Sequence, residues 1–248
     1  MPSEPTDATA PIAAVVMDFD GAICPRDVSV ALLEEFGDPA WLVLEDELKA
    51  GRAGLRETML GQVALLAGGR EEMLRFALGT FPLQPSFAPF VSWAKTAGVR
   101  LAVASDGFGF YIEPMLRAAG VDGLTVHSNA LAATGNGDGR GWGLGFPNAN
   151  ERCVGCGTCK MNVVLRYRRR FGPVAFVGEG HSDRYGALYA DVTFAKDELV
   201  DLCRADGVPF LPWETFDDVR AGLEALGGAG LPGALEPAVC PGWTEAAP

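Results

Sequence analysis

Apolar runs of strand length alternate with helix-like segments along most of the chain. The first apolar run, residues 12–19, is followed by Gly21, a pattern typical of a buried strand in a parallel sheet. Further strands are predicted at residues 99–104, 124–127, 173–177 and 191–195. Helices are predicted at residues 87–97, 110–119, 160–170, 197–205 and 215–226. This alternation predicts an α/β protein with a Rossmann-like parallel sheet.

The segment after the first strand has helical periodicity throughout. Apolar side chains share one face in four successive groups, which begin at Val28, Trp41, Leu55 and Met73. We therefore predict a small helical bundle inserted after the first strand. The predicted organisation is a core at residues 11–24 and 85–226, a helical insertion at 25–84, a flexible tail at 1–10 and a loose tail at 227–248. A Gly-rich stretch, residues 134–145, is typical of an exposed hairpin or flap.

Composition and charge narrow the classes of partner. The 248-residue chain is 48% hydrophobic and 21% charged, as globular proteins are, and its formal net charge of −12 argues against a nucleic acid partner. No apolar run has the length of a membrane span and the first residues lack an export signal, so we expect a cytoplasmic protein without a membrane partner. The basic run at residues 166–170 is interpreted as a solvated helix face.

A pair of carboxylates follows the first strand, at the edge of the sheet where α/β proteins bind ligands. Asp18 and Asp20 leave the strand on the same side. One carboxylate can act as a nucleophile while the other donates and then recovers a proton, and Gly21 lets the backbone approach a phosphate. The alternative interpretation of the pattern is a turn or a helix cap.

Three more polar clusters are expected at the same edge. Ser105 and Asp106 follow the second core strand, where the Ser105 hydroxyl can donate to a phosphate oxygen or cap the next helix. Lys160 begins a predicted helix and suits a phosphoryl group, although a lone lysine is more often a surface residue. Glu179 and Asp183 follow another buried strand and offer oxygen ligands to a hard cation, or form a turn.

In this order, the clusters resemble those of the haloacid dehalogenase-like phosphatases. Four segments stand where that superfamily has its motifs: DFDGA at residues 18–22, ASDG at 104–107, Lys160, and GEGHSD at 178–183. The helical insertion lies where members with a small helical cap carry that cap. Within the superfamily, the chain is most similar to the 2-hydroxy-3-keto-5-methylthiopentenyl-1-phosphate phosphatases of methionine salvage. That similarity lies in CVGCGTCK, ADVTFAKDEL and PFLPWETFDDVR. Phosphoserine phosphatases are more distant.

The resemblance implies a Mg²⁺-dependent phosphatase that acts on a small-molecule phosphate ester through an aspartyl-phosphate intermediate. It implies that Asp18 is the nucleophile and Asp20 the general acid and base. The phosphoryl group would be bound by Gly21, Ser105, Asp106 and Lys160. The metal would be held by Asp18, by the backbone carbonyl of Asp20, and by Glu179 or Asp183. Whether the chain forms a homodimer is left open.

Two residues depart from the superfamily's pattern. Ala22 replaces the usual Thr, and Glu179 replaces the usual Asp as a metal ligand. These departures are the only features that suggest an alternative from another class, a catalytically weakened phosphate-binding protein. A phosphatase for another small phosphate, such as phosphoserine or a biosynthetic sugar-derived ester, is the alternative among enzymes. Four residues of the helical cap and of the acidic loop, residues 178–183, are candidates for contact with the substrate: Cys24, Arg26, Arg52 and His181. For the two arginines and for His181, an exposed surface position is the simpler interpretation.

Three cysteines precede Lys160 with C-x2-C-x2-C spacing. Cys153, Cys156 and Cys159 could place three thiolates on one zinc ion, with Cys24 or His127 as the candidate fourth ligand. The alternative is a loop of free thiols in a reducing compartment.

Overall fold

The fold is built around one seven-stranded sheet. The computed structural model describes residues 12–134, 141–153, 155–226 and 240. The strands are β1 (Ala14–Met17), β2 (Arg100–Phe108), β3 (Thr125–Ala133), β4 (Trp142–Gly145), β5 (Val174–Gly178), β6 (Val192–Ala195) and β7 (Leu211–Pro212). Their order is β4-β3-β2-β1-β5-β6-β7, and neighbours are parallel except that β4 is antiparallel to β3. The predicted α/β class with a parallel, Rossmann-like sheet is confirmed.

Helices cover both faces of the sheet. They are α1 (Val28–Phe36), α2 (Trp41–Lys49), α3 (Leu55–Ala64), α4 (Arg70–Thr80), α5 (Phe87–Thr96), α6 (Gly109–Ala118), α7 (Lys160–Phe171), α8 (Arg184–Tyr189), α9 (Asp197–Asp206) and α10 (Phe216–Leu226). A short 3-10 helix, His181–Asp183, precedes α8. Within the described residues, none of these helices has the length and apolar character needed to span a bilayer.

Strand β1 lies at the centre of the sheet, between β2 and β5. All four of its residues are buried, since helices pack on both faces. Val15 and Met17 belong to the apolar cluster that also contains residues of α1–α6 and α10, whereas Ala14 and Val16 pack with residues of α7–α9. The residues after Met17 therefore emerge in the middle of the carboxyl edge of the sheet.

Helices α1–α4 lie between β1 and α5, as the periodicity predicts. Their buried residues, among them Leu32, Met59 and Met73, belong to the same apolar cluster as Val15 on the sheet. A hydrogen bond from the Trp142 indole Nε1 to the Gly68 carbonyl (3.0 Å) also joins this helical segment to the β3–β4 hairpin. The helical segment is therefore packed onto the sheet, while its exact limits at residues 25 and 84 stay a prediction.

The structure corrects the prediction for the second strand. Strand β2 continues past Ala104 to Phe108, so residues 105–107 lie within it and do not follow its end. Its pairing with β3 is interrupted between Ala104 and Phe108, where the register shifts. A bulge of this kind bends a strand and re-aims its side chains, which is why such bulges recur next to functional sites.

Several short elements had no detectable periodicity. The 3-10 helix, α8 and β7 span three, six and two residues, less than the pattern of a helix or strand needs to become visible.

The predicted hairpin is formed by β3 and β4, and its turn at residues 135–140 lies outside the described residues. The predicted tails at 1–10 and 227–248 also lie outside them, except for Cys240.

Candidate active site

Asp18 is the first residue after β1 and is buried. Its backbone N–H donates to the Val177 carbonyl of β5 (2.9 Å), which continues the sheet ladder and fixes its position. Its Oδ1 accepts from the Phe19 N–H (2.7 Å), and its Oδ2 lies 2.8 Å from the Lys160 ammonium. Burial and the nearby Asp183 carboxylate raise the pKa of Asp18, and Lys160 acts in the opposite direction. Asp18 is thus a fixed carboxyl group in a crowded electrostatic environment.

Asp20 is held by a different set of partners. Its Oδ1 accepts from the Val28 N–H at the start of α1 (2.9 Å). Its Oδ2 accepts from the Tyr111 hydroxyl (2.7 Å) and, more weakly, from the Ser105 hydroxyl (3.4 Å). Burial and the Asp27 charge raise the pKa of Asp20 to about 8. At neutral pH the side chain therefore carries a proton that it can donate.

The bulge of β2 brings Ser105 and Gly107 against Asp20. The Ser105 hydroxyl, which is buried, accepts from the Gly107 N–H (2.9 Å). A Cβ atom at position 107 would overlap the Tyr111 hydroxyl and the Asp20 carboxyl group. Glycine is therefore required here for the close approach of three elements, β2, α6 and the segment after β1.

Lys160, the first residue of α7, is 2% exposed and bridges two acidic segments. Its ammonium contacts Asp18 Oδ2 (2.8 Å), Asp183 Oδ1 (2.6 Å) and the Ser182 hydroxyl (2.8 Å). Burial would lower the pKa of Lys160, but the Asp18 and Asp183 carboxylates raise it above its ordinary value. Lys160 is therefore a buried cation fixed beside Asp18, and a surface position is excluded.

The acidic loop after β5 places Glu179 and Asp183 beside Asp18. Asp183 Oδ2 accepts from the N–H groups of Glu179 (2.8 Å) and Gly180 (3.2 Å), so this carboxylate closes the loop as well as binding Lys160. The Glu179 carboxyl group packs against Gly21, where a Cβ atom would overlap it. Burial and Asp183 raise the pKa of Glu179 to about 7. Gly21, with a positive φ of 78°, gives the backbone the turn that this packing needs.

The charges of this site fit a divalent cation. One carboxylate oxygen each from Asp18, Glu179 and Asp183 can be chosen so that all lie within 4.8 Å of one another. Burial and mutual repulsion raise the pKa of Asp18 and of Glu179, which means that the carboxylates lack sufficient positive charge around them. Oxygen ligands in this arrangement are what a hard divalent cation prefers.

Asp106 lines the cavity beside Ser105 and is tied to two other segments. Its Oδ1 accepts from the Thr158 N–H (2.6 Å) and its backbone carbonyl accepts from the Asn129 side-chain amide (2.6 Å). Its Oδ2 is buried and has no hydrogen-bond partner among the described residues. The side chain thus ties β2 to the loop before α7, while the predicted contact between its carboxylate and a phosphate stays a prediction.

A cavity of about 210 Å³ lies between the helical segment and the edge of the sheet. The sheet side is formed by the polar residues described above, including Asp18, Asp20 and Ser105. The opposite side is largely apolar and is lined by Val30, Leu33, Leu48, Leu55, Met59, Val63 and Leu66. Polar residues of the helical segment at this cavity are Asp27, Ser29, Glu45 and Gln62. The cavity is thus acidic at one end and apolar at the other.

Other residues that the sequence singled out are not among those that line this cavity. Arg26, Arg52 and His181 are exposed, and Arg52 pairs with Glu47 (2.7 Å). Cys24 is fully buried in the apolar cluster. Four arginines of α7 are exposed, as expected for a solvated helix face: Arg166, Arg168, Arg169 and Arg170.

Three residues that were not predicted from the sequence complete the site. Tyr111 binds Asp20, Ser182 binds Lys160, and Thr158 binds Asp106. Ser182 and Thr158 lie within the segments GEGHSD and CVGCGTCK, so their proximity to the site could have been found there. Tyr111 reads as an ordinary apolar position of α6, because its hydroxyl meets Asp20 only through the packing of α6 beside β2.

Comparison with known proteins agrees with this geometry. The model of the haloacid dehalogenase-like hydrolase family matches residues 15–187. The 2-hydroxy-3-keto-5-methylthiopentenyl-1-phosphate phosphatase of Geobacillus thermodenitrificans (strain NG80-2) is 30% identical, over 84% of this chain and 94% of the relative. The phosphatase of the same name from Exiguobacterium sp. (strain ATCC BAA-1283 / AT1b) is 28% identical, over 86% of this chain and 97% of its own length.

Solved structures share the fold at lower identity. A phospho-aspartyl intermediate analogue of phosphoserine phosphatase superposes with a TM-score of 0.64 and 17% identity, covering 86% of this chain and 98% of that chain. Phosphoserine phosphatase from T. onnurineus superposes with a TM-score of 0.62 and 16% identity, covering 90% and 98%. Because the family model matches most of the chain, with the four clusters gathered at the edge of one sheet, the protein belongs to the haloacid dehalogenase-like hydrolases.

Proposed function

We propose that this phosphatase hydrolyses a small phosphate monoester, with Asp18 as the nucleophile and Asp20 as the general acid and base. The observation that carries the proposal is the placement of both carboxyl groups in one cavity with different partners. Asp18 forms an ion pair with Lys160, whereas Asp20 accepts hydrogen bonds from hydroxyl and amide groups. Two carboxyl groups in such different surroundings can take different roles in one reaction.

The proposed reaction has two steps. In the first, an oxygen of Asp18 bonds to phosphorus while the ester P–O bond breaks, and Asp20 gives its proton to the departing oxygen. A pKa of about 8 supports this role for Asp20, since the group is then protonated at neutral pH. In the second step, water attacks phosphorus as Asp20 takes a proton from it, which releases phosphate and regenerates the Asp18 carboxylate.

Lys160, Ser105 and Gly21 are proposed to bind the phosphoryl group. The Lys160 ammonium lies beside Asp18 Oδ2, where positive charge would stabilise the phosphoryl oxygens. Ser105 lines the cavity next to Asp20. Gly21 follows Asp20 directly and turns the backbone there with a positive φ of 78°. For Asp106 we propose a positioning role through Thr158, in place of direct contact with phosphate.

Mg²⁺ is the proposed cofactor, with ligands from the side chains of Asp18 and Glu179 and from the backbone carbonyl of Asp20. Asp183 belongs to the same cluster, but it is fully buried and its oxygens accept hydrogen bonds from Lys160 and from the N–H groups of the acidic loop, whereas Asp18 and Glu179 line the cavity. We therefore propose that Asp183 positions Lys160 and the loop. Bound Mg²⁺ would neutralise the phosphoryl oxygens and so let a carboxylate approach phosphorus.

The cavity supports a substrate with an uncharged and partly apolar body. Its outer wall is formed by aliphatic side chains and Met59, and the described residues that line it include no Lys or Arg. The carboxylate of phosphoserine would meet Asp27 and Glu45 there without a compensating cation. We therefore propose 2-hydroxy-3-keto-5-methylthiopentenyl-1-phosphate, whose methylthio end suits an apolar wall, as the substrate.

The test is phosphate release from this ester, from phosphoserine and from p-nitrophenyl phosphate, with and without Mg²⁺. We expect Mg²⁺-dependent turnover of all but phosphoserine, and kcat/KM highest for the methylthiopentenyl ester. Asp18→Asn removes the nucleophile and should abolish turnover. The matched control is Asp122→Asn, an exposed loop residue far from the cavity, which should leave turnover unchanged.

Each outcome separates the alternatives. Absence of turnover at high protein concentration, with phosphate still bound, would instead support a phosphate-binding protein. Preference for phosphoserine would show that the acidic residues of the cavity do not exclude its carboxylate. The proposed roles of Asp18 and Asp20 would be unaffected.

A further inference from the structure

Arg56 of α3 joins the helical segment to the loop that precedes α7. Its guanidinium donates to the carbonyl of Cys153 through Nη2 (2.8 Å), and to the carbonyl of Cys156 through Nη2 (2.8 Å) and Nε (3.1 Å). It also lies over the Phe146 ring, with 5.4 Å between the guanidinium carbon and the ring centroid. The side chain is half-buried. Arg56 is therefore fixed between two parts of the molecule and is not a solvated surface residue.

The loop that Arg56 contacts carries three cysteines, Cys153, Cys156 and Cys159. Their thiols are free, and among the described residues they do not supply three ligand atoms within 4.8 Å of one another. The zinc site that their spacing allowed is therefore not supported, and a loop of free thiols is the interpretation that fits. What Arg56 uses in this loop is the backbone, because both of its acceptors are carbonyl oxygens.

The same loop is fixed to the part of the active site where Lys160 lies beside Asp18, which we call the phosphate end. The Thr158 N–H donates to Asp106 Oδ1 of β2 (2.6 Å), and a Cβ atom at Gly157 would overlap that carboxylate. Lys160 follows two residues after Thr158 and contacts Asp18 Oδ2 (2.8 Å). The acceptors of Arg56 thus belong to a loop that is anchored on the sheet next to the phosphate end.

Helix α3 supplies much of the apolar wall on the other side of the cavity. Leu55, Met59 and Val63 line the cavity, and their spacing of four residues places them on one face of the helix. Arg56 follows Leu55 directly but is not among the residues that line the cavity. The hydrogen bonds of Arg56 therefore influence how far this wall stands from the loop, without contact to a substrate.

These hydrogen bonds are directional, unlike the packing around them. Apolar contacts also hold α3 onto the sheet, but the hydrophobic effect has no preferred direction. A guanidinium is planar and its donors form a rigid fork, so two carbonyl acceptors fix both its distance and its orientation. Hydrogen bonds from a charged donor are also about twice as strong as neutral ones.

We propose that Arg56 is a positioning residue that sets the distance between the apolar wall of α3 and the phosphate end of the cavity. An ester whose body reaches the wall is bound at both ends only when this distance is right. Inorganic phosphate occupies the phosphate end alone, so its binding does not depend on Arg56. The proposal rests on the proposed function of the site, and it adds a residue that favours substrates with an apolar body without contacting them.

The kinetic test compares a substrate that spans the cavity with a ligand that does not. Arg56→Met removes every donor of the guanidinium and keeps an aliphatic chain. The KM for the methylthiopentenyl ester, or for the ester that the wild-type protein prefers, should rise about tenfold with kcat changed less than about twofold. The inhibition constant of inorganic phosphate should stay within about twofold of the wild-type value. Arg75→Met, at an exposed position of α4, is the matched control and should change neither constant.

A milder variant and a measurement without turnover guard against a folding defect. Arg56→Lys keeps the charge but lacks the fork, so KM should rise by a smaller factor, with the inhibition constant of phosphate again unchanged. Hydrogen exchange followed by mass spectrometry should show faster exchange in α3 and in residues 155–159 for both Arg56 variants. Helix α9, which is distant in sequence from both segments, should exchange at the wild-type rate.

Each outcome decides for or against the proposal. Equal increases in KM and in the inhibition constant of phosphate, in both Arg56 variants, would show a general loosening of the site and would overturn it. Unchanged hydrogen exchange in α3 and in the loop would overturn it as well. Wild-type protein that hydrolyses no phosphate ester contradicts the proposed function instead, and the exchange rates then still decide whether Arg56 holds the wall.

Discussion

At the scale of single residues, the two aspartates of the active site differ through their neighbours. Asp18 contacts a buried cation, whereas Asp20 is surrounded by the N–H of Val28 and two hydroxyl groups. The hydroxyl of Tyr111 gives the shortest of these contacts to Asp20, at 2.7 Å. The positions of the donors, more than the aspartates themselves, are what separate the proposed nucleophile from the proposed proton donor.

Tyr111→Phe is expected to lower kcat about tenfold with little change in KM. The change removes one hydrogen bond to Asp20, worth about 1–1.5 kcal/mol, while the ring keeps its packing against Phe19 and Phe108. KM should hold because Tyr111 is not among the residues that line the cavity. Steady-state kinetics measure the effect, with Tyr185→Phe on α8 as control. An unchanged kcat would show that Tyr111 does not position Asp20.

Glu179→Gln is expected to raise the Mg²⁺ concentration needed for half-maximal activity by at least about tenfold. The reason is that Glu179 has no hydrogen bond from its carboxyl group within the described residues, so its oxygens are available to a metal. Glu198→Gln, an exposed glutamate of α9, is the control and should not change the requirement. Titration of activity with Mg²⁺ measures both. If Glu179→Gln kept the wild-type requirement, Asp183 would have to be the ligand.

At the scale of elements, ion pairs connect helices that follow the acidic loop. Arg184 of α8 binds Asp206 of α9 through two hydrogen bonds, of 2.7 and 2.6 Å. The hydrogen bonds from Arg184 lower the pKa of Asp206 below its ordinary value of 3.8. The carboxylate is therefore favoured in the folded state.

This pair should make stability depend on pH in the acidic range. Because the pKa of Asp206 is lower in the folded state, its contribution is complete above about pH 5 and is lost as the pH falls through the lowered value. Asp206→Asn should reduce the free energy of unfolding by about 0.5–1 kcal/mol at neutral pH, and by less in strong acid. Urea unfolding at several pH values measures this. The control Asp201→Asn affects a more exposed pair with Arg204 and should change little; a pH-independent loss in Asp206→Asn would contradict the argument.

At the scale of the whole molecule, the cavity lies at the boundary between the helical segment and the sheet. Both sides belong to one apolar cluster, so a ligand held between them should resist their separation. A helical segment closed over the cavity also excludes water during phosphoryl transfer.

Beryllium fluoride with Mg²⁺ is expected to mimic the acyl phosphate on Asp18, inhibit turnover and raise the melting temperature by several degrees. The stabilisation follows because the ligand binds the folded state alone. Thermal unfolding followed by circular dichroism measures it, and Asp18→Asn should show no shift. Indifference of the wild-type protein to beryllium fluoride would count heavily against an aspartyl-phosphate intermediate.

Much of this molecule could be predicted from local pattern. The buried run at residues 12–19, the helical periodicity after Asp27 and the polar residues at strand ends predicted the α/β class, the helical insertion and the meeting of Asp18, Ser105, Lys160 and the acidic loop. These predictions succeed because burial, helical repeat and the carboxyl edge of a parallel sheet each leave a periodic signal in sequence.

Only the tertiary structure decided which atoms meet. The bulge in β2, the Tyr111 contact with Asp20 and the use of Asp106 to hold Thr158 depend on packing between elements that are far apart in sequence. Cys240 and Cys159 belong to one buried cluster for the same reason. Sequence determined which residues are polar, apolar or titratable and the face of each element on which they lie. The fold decided the distances between side chains of different elements, their burial and the charges around them. A pKa or a hydrogen bond depends on those neighbouring atoms, which no local pattern specifies.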